Sequence, residues 1–278
     1  MESSSKKKYV SLQEFLRCSP LSVDAVVDYG GGLSFPVKGR EIDASILFAD
    51  MSNFSARTVD LLPTETLLFA NDFFAWMTGP IVGRHGIVDK YIGDAIMVVF
   101  SDEFGSEDAF TDALQTARFM IENDVCAFVP HIGIASGLVT VGYVGTSFSY
   151  GCSVFGTPAT LAARCATNKS FSVAPARIVF PAREWKYSSL NDALSIPRTS
   201  GELGPGVDDE DIGWRLHETR NAELRNLGAV ELRCIERTRH RLMTPTAEDR
   251  AKTRLEQLGA KGAYSPRAAF GSDSHAST

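Results

Sequence analysis

Asp50 and Asp94 are the residues best suited to chemistry. Asp50 ends the apolar run "IDASILFAD", and Asp94 sits at Gly93-Asp94 within "VDKYIGDAIMVVF", between two further apolar runs. Each has an ordinary reading alone. Gly-Asp is a common turn pair, because Gly supplies unusual backbone angles and Asp hydrogen-bonds its own turn. Brought together, however, two carboxylates suit hard divalent ions, which take oxygen ligands and are commonly held by one or two carboxylates plus substrate phosphates. Two such ions about 4 Å apart activate an attacking oxygen and neutralise a leaving one. A second element is "TLAAR", where Thr160 and Arg164 are four apart and share a helix face. A guanidinium there can grip a phosphate in bidentate fashion, although a solvated arginine is the commoner case.

These residues need elements to position them. "IDASILFAD" reads as a buried strand and "PTETLLFANDFFAWMTGPIVGRHG" as a long helix. In the helix Pro63 suits the first turn, Leu67, Leu68, Phe73, Phe74 and Met77 form the apolar face, and Pro80 bends the end. "VDKYIGDAIMVVF" is a hairpin. "SEDAFTDALQTARFMIENDV" is a second helix, capped near Ser106. "HIGIASGLVTVGYVG" reads as two short strands around Ser136-Gly137, "FGTPATLAARCAT" as a helix started by Thr157 and Pro158, and "ARIVF" as a strand. The order predicts an α+β, ferredoxin-like βαββαβ fold, an antiparallel sheet with helices on one face and further strands added C-terminally. In that plan the first and third strands are antiparallel neighbours at the sheet centre. Asp50 and Asp94 then meet at one sheet edge.

The bulk properties exclude other classes. The chain has 278 residues, 44% hydrophobic and 22% charged, with a net charge of -6. That charge argues against a general nucleic-acid binder. No apolar run approaches the roughly 18 residues of a membrane helix, and "MESSSKKKYV" lacks the apolar core of a secretory signal. Five scattered cysteines without a CxxC pair predict neither disulfides nor a zinc site, so a cytoplasmic setting is expected. Three units are expected: residues 1–40 as an N-terminal extension, in which "YVSLQEFLRC" reads as a short helix; 41–240 as the main domain, with a polar insertion over about 186–213; and 241–278 as a short helix and tail. His85 and His131 flank strands and read as locally hydrogen-bonded. Cys152 and Cys165 read as buried small residues.

Four stretches in register, "ILFADMSNFS", "HGIVDKYIGDAIMVVF", "HIGIASGLVTVGYVG" and "VFGTPATLAARCA", resemble the class III nucleotidyl cyclases in order and spacing, over roughly residues 41–240. The resemblance implies roles residue by residue. Asp50 and Asp94 match the two metal aspartates, and Met51 the position whose carbonyl also touches a metal, for two divalent cations, Mn²⁺ or Mg²⁺. Asn53 and Phe54 match the turn that holds the triphosphate. Arg164 matches the arginine at the α-phosphate. Lys90 matches a base-reading position, lysine in adenylyl and glutamate in guanylyl cyclases, and Ser153 its partner. Arg225, in "ELRNLG", matches a lysine on the terminal phosphates. Family sites form between two head-to-tail domains. One such domain carrying both halves of the site implies a homodimer.

The sequence departs from the family at four places. Thr160 stands where an asparagine orients the ribose, Asn53 where a glycine is usual, Thr157 where an acid is usual, and Arg225 where a lysine is usual. Lys90 with Ser153 argues against GTP, because no carboxylate is placed to accept from a guanine edge. On that pair alone ATP is the choice, but a lysine donor equally serves the carbonyl oxygens of uracil or cytosine. The closest look is to the bacterial pyrimidine cyclases of anti-phage defence, which implies UTP first, then CTP, a cyclic nucleotide product and a separate effector protein. The alternatives are an adenylate cyclase and an inactive cyclase-like domain that binds nucleotide only. A phosphoryl-transfer enzyme on a related palm would lack "AAR" after a glycine hairpin.

Overall fold

The computed structural model describes residues 9–28, 30, 34–51, 54–59, 63–122, 130–146, 149–171, 176–195 and 213–238. Helix α1 (Leu12–Cys18) is capped by Ser11, whose hydroxyl accepts from the Glu14 amide. It buries Leu12, Phe15 and Leu16. Strand β1 (Val23–Asp28) forms a hairpin with β2 (Ser34–Met51). β2 therefore starts before residue 41. There follow α2 (Phe54–Thr58), α3 (Pro63–Gly83), β3 (Ile87–Ile92), β4 (Ala95–Phe100), α4 (Ala109–Glu122), β5 (Pro130–Thr146), β6 (Ser149–Phe155), α5 (Thr157–Ala166), β7 (Arg177–Pro181), α6 (Leu190–Leu194), β8 (Trp214–Leu216), β9 (Arg220–Leu224) and β10 (Gly228–Arg237).

The βαββαβ core is β2-α3-β3-β4-α4-β5. Its strands lie in the order β3-β4-β2-β5, extended by β7, β10 and β8, with β1, β6 and β9 paired at the margins. β2 runs antiparallel to both β4 and β5. Alternation along β2 sorts its side chains to two faces. Leu47, Ala49 and Met51 join the cluster under α3 and α4, while Ile42, Ala44 and Ile46 join the cluster under α1 and α5. The two core helices thus cover one face, as the plan requires, and α5 and α1 close the other.

Some local readings change. Leu67 is exposed, because α3 meets the core through its later turns, at Phe73, Phe74, Met77 and Ile81. Fully burying such a side chain is worth about 1.5–3 kcal/mol. That offsets Pro80, which lies inside the helix rather than ending it. The cap of α4 is Asp108, whose Oδ1 accepts from the Thr111 amide at 3.1 Å; Ser106 instead is buried and donates to Asp112. The two short strands expected around Ser136-Gly137 are one strand, β5, whose pairing with β2 runs unbroken from Gly39↔Gly142 to Met51↔Pro130. The helix expected near 247–259 and most of the 186–213 insertion lie outside the described residues. Of that insertion, α6 is described. No helix among the described residues is long and apolar enough to cross a membrane.

Candidate active site

The end of β2 and the β3–β4 turn build the first half of the site. Asp50 pairs with Ala95, the residue after Asp94. The Met51 amide donates to the Asp94 carbonyl at 3.3 Å, which ties strand end to turn. Gly93 makes the turn at φ 63°, a left-handed conformation that glycine adopts without strain. The register expected from the sequence therefore holds, and the two aspartates converge. Burial first, and the Asp94 charge second, push the Asp50 carboxyl up to about 6. Two carboxylates that raise each other's cost of ionisation form a donor set that a hard cation relieves. Among the described residues no group of three or more His, Cys, Asp or Glu side chains is gathered for a metal, so protein carboxylates come as this pair. Phe54 opens α2 just beyond Met51, and Asn53 lies outside the described residues.

The second half sits on α5 and on the β5–β6 hairpin. Helix α5 begins at Thr157-Pro158 and buries Leu161, Ala162, Cys165 and Ala166 against the sheet. It lies so close to β5 that a Cβ on Gly133 would stand 2.0 Å from the Ala162 carbonyl oxygen. Gly133 pairs with Phe48, two residues from Asp50, so this contact sets the height of α5 on the sheet. On that helix Thr160 is exposed and Arg164 half-buried. Arg225 lies in the turn between β9 and β10, closed by the Leu227 amide on the Leu224 carbonyl. Register puts that turn at the far end of the sheet: β7 starts beside His131, near Asp50, and β10 starts at the other end of β7. One chain therefore does not bring Arg225 to its own aspartate pair.

Lys90 and Ser153 do meet. The lysine Nζ donates to Ser153 Oγ, and Ser153 donates in turn to Asp89 Oδ2 at 3.1 Å. Lys90 Nζ also lies 3.4 Å from that oxygen. Asp89 is a carboxylate that the sequence reading did not single out; its side chain is fully buried, so it is not placed to accept from a guanine edge. Sequence reasoning missed it because neighbours on a regular strand point to opposite faces. A register shift between Val88 and Lys90 breaks the alternation and turns both side chains to Ser153. The adjacent Asp-Lys pair was the visible signal. Cys152 and Cys165 fit the inert reading: burial pushes their thiols up to about 11 and about 12. His131 is pushed down to about 4, chiefly by burial.

The chain matches no protein-family model. The adenylyl cyclase CyaB from P. aeruginosa superposes with a TM-score of 0.52 at 16% identity, covering 74% of this chain and 99% of that one. The guanylate cyclase domain of RhGC from Catenaria anguillulae, solved with GTP, superposes with a TM-score of 0.52 at 16% identity, covering 72% and 100%. The fold is that of an adenylyl or guanylyl cyclase domain. By sequence the chain is 30% identical over 185 residues to an uncharacterised protein of Mycobacterium tuberculosis, covering 65% of this chain and 32% of that protein. It is 30% identical over 136 residues to an adenylate cyclase of Anabaena cylindrica, covering 43% and 26%. The chain thus spans a quarter to a third of the length of these curated relatives.

Proposed function

We propose that this chain is a metal-dependent nucleotidyl cyclase that converts a nucleoside triphosphate, UTP first and CTP second, to its 3′,5′-cyclic nucleotide and pyrophosphate. The observation that carries the reading is the convergence of Asp50 and Asp94 at one sheet edge within a cyclase-type fold. Asp50, Asp94 and the Met51 carbonyl would hold two divalent cations, Mg²⁺ or Mn²⁺. Cations at such a pair supply activation of the attacking oxygen and neutralisation of phosphate charge. The reaction is in-line attack of the ribose 3′-oxygen on the α-phosphorus. An O3′–P bond forms, the bond to the β-phosphate oxygen breaks, and the hydroxyl proton passes to water or phosphate. Arg164 stabilises charge on the α-phosphate, Thr160 faces the ribose, Asn53 and Phe54 hold the triphosphate through their backbone, and Arg225 binds its far end. The catalytic unit is assigned to residues 41–240, in a homodimer whose sites combine Asp50 and Asp94 of one copy with Lys90, Ser153 and Arg164 of the other.

The base assignment rests on what the reading edge offers. Asp89 is fully buried beneath Lys90, whose side chain is 41% exposed, so the outward face is dominated by ammonium donors. Uracil carries two carbonyl oxygens to meet them, cytosine one and adenine none, which is the order proposed. The product would act as a messenger read by a separate effector in anti-phage defence. Adenylate cyclase activity is the second reading, favoured by Lys90 itself, which also suits adenine N1.

The test is incubation of the purified chain with each of ATP, GTP, CTP and UTP, in Mg²⁺ and in Mn²⁺, followed by chromatography and mass spectrometry of the product. Cyclic UMP should dominate, and Asp50→Ala or Asp94→Ala should abolish it in a protein that keeps its circular-dichroism spectrum. Dominant cyclic AMP would replace the pyrimidine assignment with the second reading. No cyclic product from any of the four would end the enzyme reading.

A further inference from the structure

The side chain of Asp89 has no exposed surface, yet it sits on the margin of the sheet beside the half-exposed Lys90. It is the extra residue of a bulge, because Val88 pairs with Val98 and Lys90 with Met97, which leaves Asp89 without a cross-strand partner. Its Oδ2 receives the Ser153 hydroxyl at 3.1 Å and faces the Lys90 ammonium at 3.4 Å. Its Oδ1 is buried and makes no hydrogen bond among the described residues. The Val154 amide also leans on this carboxylate, but burial outweighs these partners and holds it above the usual carboxylate range. This is a poor way to gain stability. Buried ion pairs are often no better than apolar replacements, and a buried oxygen without a partner carries its full desolvation cost. Bulges, in turn, are devices that re-aim a side chain beside a functional site.

Counting protons shows what the arrangement accomplishes. Ser153 has one proton, and it goes to Asp89. Its oxygen takes one proton from Lys90. Ser153 itself is buried, so what remains to face outward is the unused donors of the ammonium. We infer that Asp89 is a specificity-determining positioning residue, which holds Lys90 directly and through Ser153 so that its ammonium presents its donors in one fixed direction to the edge of a nucleobase. The inference rests on the cyclase reading above and adds a third residue, from a position that does not itself touch the nucleotide. Without the carboxylate the serine hydroxyl rotates freely, the ammonium loses its anchor, and the edge no longer has one polarity.

The experiment uses Asp89→Asn, which keeps shape and removes charge, with Ser153→Ala as a second variant and the double variant to close the cycle. Two quantities are measured on the full chain: kcat and KM for the four triphosphates, and affinities for the four 3′-deoxynucleoside triphosphates, which lack the attacking hydroxyl and report binding without turnover. In Asp89→Asn the preference for the best base over the next should fall about tenfold, the effect expected of losing one charge-assisted hydrogen bond. The loss should lie in KM and in analogue affinity, with kcat on the best substrate changing less than about threefold. The double variant should lose no more selectivity than Ser153→Ala alone, because the two residues act as a unit. An equal loss on all four bases, or additive effects, would mean a structural role only and overturn the inference. If the wild type cyclises nothing, the 3′-deoxy analogues still decide: a base preference that collapses in Asp89→Asn upholds the positioning role as the cyclase reading falls, and one that survives sinks it. No base preference in the wild type sinks it as well.

Discussion

Arg164 carries the heaviest single assignment among the side chains. It is half-buried in the last turn of α5, and no carboxylate among the described residues forms an ion pair with it. A preorganised cation aimed at charge that develops in the transition state acts on kcat. Arg164→Ala should therefore lower kcat by about 100- to 1000-fold while KM changes far less. A KM effect of that size with kcat preserved would reassign Arg164 to substrate binding. At this scale the site was legible wherever the chemistry is written into one residue and its spacing. Asp50 and Asp94 could be paired on paper because a strand end and a turn have only one meeting place in a βαββαβ sheet. Asp89 could not, since its role depends on a bulge that no hydrophobic pattern announces.

Gly133 shows how an element is held to its task. The Ala162 carbonyl and the Ala166 amide of α5 lie 2.0 and 2.4 Å from where a Cβ would be, both backbone atoms that cannot swing aside. Gly133→Ala should push α5 off the sheet, costing about 1–3 kcal/mol or more in a denaturant titration. It should also lower turnover beyond the stability loss, because Arg164 moves with the helix. Unchanged stability would mean that α5 is not seated where described. The strand ladder makes a separate prediction about pH. His131 faces Asp50 across β2 and β5, but burial dominates, with Arg177 and Lys169 adding to it, and lowers the imidazole from 6.5 to about 4. The unfolded chain takes up this proton near 6.5 and the folded chain only near 4. Stability is thus lost as pH falls between those values, and no more is lost from this group below about 4. His131→Gln should flatten that part of the melting temperature against pH, measured between pH 7 and 5. The long helices and buried strands were readable from their periodicity. β6 was not, because "SYGCSVF" is short and mixes two serines and a glycine with its apolar residues Tyr150, Cys152 and Val154, and it becomes a strand through its ladder with β5.

At the scale of the whole molecule, the sheet separates Arg225 from the aspartate pair. Asp50 and Asp94 stand at one end, and the Arg225 turn stands at the other. The head-to-tail homodimer proposed above would bring the Arg225 of one copy to the aspartate pair of the other. Mixing inactive Asp50→Ala with inactive Arg164→Ala should restore activity, up to about a quarter of wild type if subunits exchange at random, since half the dimers are mixed and each has one intact site. No recovery after exchange has been demonstrated by fluorescence transfer would confine each site to one chain. The sequence alone pointed to this assembly only through resemblance. The sheet register adds one observation consistent with that proposal, the distance of the Arg225 turn from the aspartate pair.

The bulge in β3 has a consequence for descent. The groups assigned to the base lie on β3 and β6, whereas those assigned to the phosphates lie on the end of β2, the β3–β4 turn and α5. No residue of the reading edge is itself a residue of the reaction centre, although Lys90 and Asp94 share one hairpin. A lineage that exchanges side chains at positions 89, 90 and 153 changes its alphabet while its engine is inherited intact. Among relatives of this chain, substitutions at those three positions should therefore travel together, and should vary independently of Asp50, Asp94 and Arg164.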